Sequence, residues 1–142
     1  MDSVKSLTAG ADPVNQVYSA VYDVTVAAGN SRWLSIVSDT VTTGSGQKYT
    51  VGRAIHIIAI TVHVRSNSST GGATSTMVLR ADDDDKATSS FDFEIAGGEE
   101  TQQITGLDIA IAALEEMDYE VVNNFSDGTF IIESIETEYS ID

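Results

Sequence analysis

The sequence predicts an all-β fold, an antiparallel β-sandwich, and three observations lead there. Valine, isoleucine and threonine are abundant, as they are in half-buried pleated strands. Proline occurs once, and the eleven glycines fall between apolar runs instead of inside them. Short runs of strand character recur with polar, glycine-bearing turns between them, the spacing of a sandwich or barrel.

Ten strands are expected in order: 17–26, 32–38, 47–53, 54–65, 76–80, 91–95, 101–105, 107–114, 119–124 and 129–141. Alternation assigns their faces. In 91–95, Phe91, Phe93 and Ile95 share one side and Asp92 and Glu94 the other, as strand geometry requires. Tyr119 and Val121 should likewise point away from Glu120 and Val122. The run "IIAIT" (57–61) is apolar on both faces, the pattern of a strand buried on both sides. The stretch 107–114 is ambiguous, because Leu107, Ile111 and Leu114 also fit a helical stripe. A strand with Leu107, Ile109 and Ile111 on one face is the favoured reading.

A chain of 142 residues is long enough to bury about 68–70% of its unfolded surface in one core. Residues 1–16 read as an N-terminal arm and 17–142 as one domain. The opening residues lack a basic start followed by an apolar run, so no leader is expected there. The longest apolar stretch, 54–64, is about half of the ~20 residues a membrane helix needs. With no cysteine, neither disulfides nor thiolate metal sites arise. The 22 acidic and 7 basic residues give a formal charge of −15, which repels phosphate backbones and anionic lipid heads. Nucleic acid and membrane are therefore poor partners.

The run Asp82, Asp83, Asp84 and Asp85, flanked by Arg80 and Lys86, is the most conspicuous local feature. It is not an EF-hand loop, since counting from Asp82 the fifth and sixth positions are Lys86 and Ala87. In extended backbone only Asp82 with Asp84, or Asp83 with Asp85, could converge on one calcium. The expected reading is an exposed connection between two strands, with docking to a basic partner as the functional alternative. His56 and His63, seven residues apart in one strand, should face opposite ways and so cannot share a metal. No nucleophile elbow, zinc-protease helix, phosphate-cradling loop or dinucleotide fingerprint is present. The chain is therefore not expected to be an enzyme or to hold a metal or cofactor. Trp33 and Tyr49 are the candidates for stacking on a sugar ring, against the plainer reading of Trp33 as a core anchor.

Residues 106–141 consist of an apolar strand, an acidic turn leading into "MDYEVVNN", a small turn at Asp127-Gly128 and a long last strand. This pattern resembles the closing half of the jelly rolls of complement globular heads, tumour necrosis factor-like domains and phage appendages. The chain departs from that family in having Met117-Asp118 where glycine-aspartate is usual. The resemblance implies a jelly roll of about eight to ten strands, assembled as a homotrimer, with roles in adhesion, ligand binding or virion decoration. Together with the acidity and the lack of a catalytic set, it leads to an expectation of a structural virion protein. This would be a decoration (cement) protein on the capsid surface, with a major capsid protein or other virion protein as partner. The arm, including Pro13 and Val14, and the aspartate run are the expected docking elements. The alternative is a receptor- or carbohydrate-binding head of a tail fibre or adhesin, built on Trp33 and Tyr49. Adaptation to high salt would also explain the acidity.

Overall fold

A computed structural model describes residues 16–38, 41–43, 48–67, 70–72, 75–86, 91–93 and 100–141. Within these the strands are β1 (Gln16–Ala27), β2 (Ser31–Leu34), β3 (Val41–Thr42), β4 (Tyr49–Thr50), β5 (Ile55–Asn67), β6 (Thr70–Gly72) and β7 (Ser75–Ala81). They continue with β8 (Asp84–Asp85), β9 (Phe91–Phe93), β10 (Glu100–Ile104), β11 (Ile109–Ile111), β12 (Glu116–Val122), β13 (Phe125–Asp127) and β14 (Thr129–Ile141). Pro13 and Val14 lie outside the described residues, as do the side chains of Phe91 and Phe93 and all of Ile95.

Two antiparallel sheets carry the domain. The first runs β1-β14-β5-β10 with β11 also on β5, and the second runs β3-β2-β12-β7-β8 with β4 on β12 and β9 on β7. The pairings β1 with β14, β2 with β12, β5 with β10 and β7 with β9 are nested. The first principal strand pairs with the last, the second with the next to last, and so inward. A single long hairpin wrapped around a core pairs in that way, which makes the domain a jelly roll of eight principal strands. The remaining short strands extend edges, and β6 with β13 forms a separate ribbon.

The core lies between the sheets. On β7 the inward residues Ser75, Met77, Leu79 and Ala81 are buried and alternate with partly exposed ones. Tyr119 and Val121 of β12 are fully buried, with Glu120 and Val122 turned outward as alternation requires. Each large aliphatic side chain taken from water contributes about 1.5–3 kcal/mol. The Tyr119 hydroxyl meets Thr137 Oγ1 at 2.6 Å, a link between the sheets that satisfies both polar atoms. Buried Asn123 donates from Nδ2 to Val26 O at 2.9 Å and accepts at Oδ1 from Phe125 N at 3.0 Å. Its side chain thus replaces backbone pairing where three elements meet.

Two expectations change. The doubly apolar run in β5 reflects a bulge, not burial on both faces. Tyr139 pairs with Ile57 and Glu138 with Ala59, so Ile58 has no partner in that ladder, and its carbonyl accepts from Leu107 N at 3.0 Å. The extra residue exchanges inside and outside. Before it, Ile55 and Ile57 point inward; after it, Ile60, Val62 and Val64 do. His56 and His63 consequently share the outer face despite their odd separation, opposite Ser140 and Ser134 of β14.

The stretch 107–114 contains strand over Ile109–Ile111 with Ile109 and Ile111 buried and Ala110 exposed, and it contains no helix. Its end differs from expectation. Leu114 turns to φ +74 and is 73% exposed, because Glu115 Oε1 accepts from Ala112 N at 2.6 Å and closes a turn there.

Candidate functional site

Two regions hold the aspartate run and Tyr49, and the neighbouring residues Lys48 and Tyr49 reach one each. The first is the aspartate run. Ala81 pairs with Asp84 and Arg80 with Asp85, so the run is an exposed connection between strands, closed as the tip of a tight hairpin. Asp82 and Asp83 take φ +50 and +67, the left-handed values of a two-residue type I′ turn. That turn matches strand twist, and aspartate tolerates it because its short polar side chain adds little strain.

Intramolecular partners occupy most of the carboxylates. Asp82 Oδ1 accepts from Glu116 N at 2.9 Å, and Asp82 N donates to Glu116 O at 2.8 Å. Asp83 Oδ1 sits 2.8 Å from Lys48 Nζ and 3.5 Å from Arg80. Arg80 Nη2 donates to Asp83 O at 2.8 Å. Asp85 Oδ1 lies 3.2 Å from Arg80 Nε, within ion-pair reach though off the hydrogen-bond axis. Asp83 and Asp85 therefore converge on one cation, the Arg80 guanidinium. Among the described residues no cluster of three or more metal-binding side chains occurs.

Beneath this hairpin lies Asp118. It occupies an outward position on β12 opposite Arg80 and is only 1% exposed. Its Oδ2 has no hydrogen-bond partner among the described residues. Burial pushes its carboxyl up to about 6, and the charges of Arg80 and Lys48 pull against that rise.

The second region is a cavity of about 340 Å³ between the sheets, where β1, β5 and β14 approach β4. Tyr18 is stacked on Tyr139 at a ring separation of 4.2 Å and meets Tyr49 edge-on at 5.1 Å. Alternation places them. Tyr18 pairs with buried Thr137 on the inward side, and Tyr49 pairs with buried Met117. The Tyr139 hydroxyl donates to Gln16 Oε1 at 2.8 Å. Burial, reinforced by the hydroxyls of Tyr49 and Tyr139, holds the Tyr18 phenol far above its ordinary range and so protonated. Val51, Ile55 and Ile141 form the apolar floor. Gly52 and Arg53 stand exposed at the mouth.

Of the two residues expected to stack on a sugar, Tyr49 is in this cavity and Trp33 is not. Trp33 pairs with Glu120 and Thr42 on the outer side of the second sheet. Its indole Nε1 is covered and lacks a hydrogen-bond partner among the described residues. Sequence reading missed Tyr18, Tyr139 and Arg53. The nested pairing of first and last strands was the signal that would have joined Tyr18 to Tyr139. Elsewhere His56 Nδ1 pairs with Asp108 at 2.5 Å, and His63 Nε2 with Glu136 at 3.2 Å. At about 3.3 Å of rise per residue, the two histidines are roughly 20 Å apart.

No family model matches the sequence, and no curated protein matches it. Solved structures resemble the fold. A chain of the infectious bursal disease virus Gx strain structure is similar over 92% of this chain and 32% of its own, at a TM-score of 0.50 and 12% identity. The nucleoplasmin-like N-terminal domain of Drosophila FKBP39 is similar over 94% of both chains, at 0.40 and 11%. A family 35 carbohydrate binding module from Clostridium thermocellum is similar over 87% of this chain and 97% of its own, at 0.43 and 10%. At such identities the likeness concerns the fold, which is an antiparallel jelly-roll sandwich.

Proposed function

We propose that the chain is a non-catalytic structural virion protein that decorates a capsid as a homotrimer. The observation that carries this reading is the free edge of the first sheet. Strand β1 is twelve residues long and pairs, among the described residues, only with β14. Its outer face presents Val17 at 51% and Val21 at 66% exposure, beside glutamates and serines of β14. A long edge with exposed aliphatic side chains invites another chain, and a closed ring of three protects every copy of it. The likeness to a chain of a virus structure and the acidic charge support the same reading.

Docking on a major capsid protein or another virion protein falls to the segment before β1, with Pro13 and Val14, and to Asp84. The Asp84 side chain is exposed and, unlike those of Asp82, Asp83 and Asp85, makes no hydrogen bond or ion pair among the described residues. Individually weak contacts sum through symmetry into firm attachment. In sedimentation the protein should run as three chains, and the double variant V17D/V21D as one, with unchanged circular dichroism. Purified shells should bind it and rupture at higher temperature. A single-chain mass at all micromolar concentrations, together with no effect on shells, would reject the proposal.

A second reading, a carbohydrate- or receptor-binding head, is favoured by one observation: Tyr49 lies in an aromatic cavity with an arginine at its mouth. Trp33, on the other sheet's outer face, lends it no support. Retention on glycan arrays without shell binding would favour this reading over decoration.

A further inference from the structure

We infer that the tyrosine cavity binds a pyranose bearing a carboxylate, with Arg53 selecting the acid. The inference rests on the second reading above and names its ligand. The cavity's volume of about 340 Å³ lies in the lower part of the range of roughly 300–1,000 Å³ occupied by small-molecule sites, the size suited to one or two sugar rings. Tyr18, Tyr49 and Tyr139 hold one another through the stacked and edge-on contacts. They therefore offer fixed aromatic surface with little ordering cost on binding. The Tyr139 hydroxyl donates to Gln16, but a phenolic oxygen keeps a lone pair with which to accept from a ring hydroxyl, and the partly exposed Ile141 borders the cavity to meet the C–H face of a sugar.

Arg53 supplies the second, independent observation. In a chain of 22 acidic and 7 basic residues, carboxylates outnumber cations about three to one. Lys48 and Arg80 are engaged by Asp83 and Asp85, and Arg32 donates to Ser31 O at 2.7 Å. Arg53, exposed at the cavity mouth, makes no ion pair among the described residues. A guanidinium left open amid so many carboxylates, beside a cavity, is placed for a carboxylate from outside, which its planar fork grips with two parallel bonds. A free phosphate would use Arg53 and leave the rings bare. A neutral sugar would use the rings and leave Arg53 idle. A uronic acid uses both.

The test is a titration of isotope-labelled protein with glucuronic acid, glucose and inorganic phosphate, followed by amide shifts of residues 51–55 and 139–141. Glucuronic acid should shift these amides at least ten-fold more tightly than either comparator. In Arg53→Gln it should fall to the affinity of glucose, with an unchanged melting temperature confirming that the variant is folded. Equal affinity for glucose and glucuronic acid, or an Arg53→Gln variant that binds as the parent does, overturns the carboxylate inference while the carbohydrate-head reading stands. Phosphate binding as tightly as glucuronic acid reduces the site to a plain anion site. No shift with any sugar overturns both the inference and the carbohydrate-head reading.

Discussion

The aspartate hairpin and the tyrosine cavity differ in how completely each uses its own charges. In the hairpin, Arg80 and Lys48 are matched by Asp83, Asp85 and the buried Asp118. At the cavity Arg53 makes no ion pair with a carboxylate among the described residues. Lys48 and Tyr49 are neighbours in sequence at the start of β4, and strand alternation sends the first outward to the hairpin and the second inward to the cavity. The conspicuous run of four acids is thus largely consumed in holding the fold. The region with capacity left for a ligand is built from residues that no run of sequence displays.

That contrast can be broken most forcefully at Arg80. Replacing it with methionine keeps the stem and leaves Asp118 and Asp85 without their shared cation. Leaving a buried charge uncompensated is costly, and we expect a loss of about 3 kcal/mol in urea denaturation, with the hairpin amides losing exchange protection first.

The next largest effect concerns pH. Asp118 has a folded value of about 6 against an ordinary 3.8, so the fold favours its protonated form. The unfolded chain releases that proton first, and stability falls as pH rises from about 4 to about 6, then levels. Asp118→Asn should remove this slope and raise stability at pH 7 by about 2 kcal/mol, measured as denaturation midpoints across that interval.

Within the run, the four aspartates should behave unequally. Asp83→Ser removes the partner of both Lys48 and Arg80 and should cost about 1 kcal/mol, whereas Asp84→Ser should change stability by less than about 0.5 kcal/mol. Equal effects at the two positions would mean that the hairpin is not organised around Arg80. Smallest of all is Arg53→Gln, where stability should be unaltered within about 0.5 kcal/mol, since an open cation holds nothing together.

Much of the fold was legible because alternation is a local signal. Tyr119, Val121, Ile109 and Ile111 face inward as the spacing of apolar and polar residues requires. The faces of His56 and His63 were not legible, because a bulge is fixed by the partner strand and not by the strand that carries it. The end of 107–114 was misread for a related reason: Leu114 looks like core by composition, but the Glu115 carboxylate accepts from Ala112 N and the strand stops three residues earlier, at Ile111. For the aspartates, the sequence showed four like charges in a row but not that Lys48, more than thirty residues upstream, would lie against them. The cavity was least legible. Tyr18, Tyr49 and Tyr139 come from the beginning, the middle and the end of the chain, and only the nested pairing of strands brings them together.

The bulge at Ile58 can be understood as a shift of phase. A strand has a two-residue beat, and one surplus residue moves everything beyond it by half a period, much as an inserted nucleotide changes every codon downstream. Deleting Ile58 would remove the surplus beat. Ala59 would follow Ile57 directly, the ladder to β14 would run without a break there, and Ile60, Val62 and Val64 would stay inward with His56 and His63 outward. One residue with no partner of its own in the β5–β14 ladder therefore lets Ile57 and Ile60, three positions apart, face the same core.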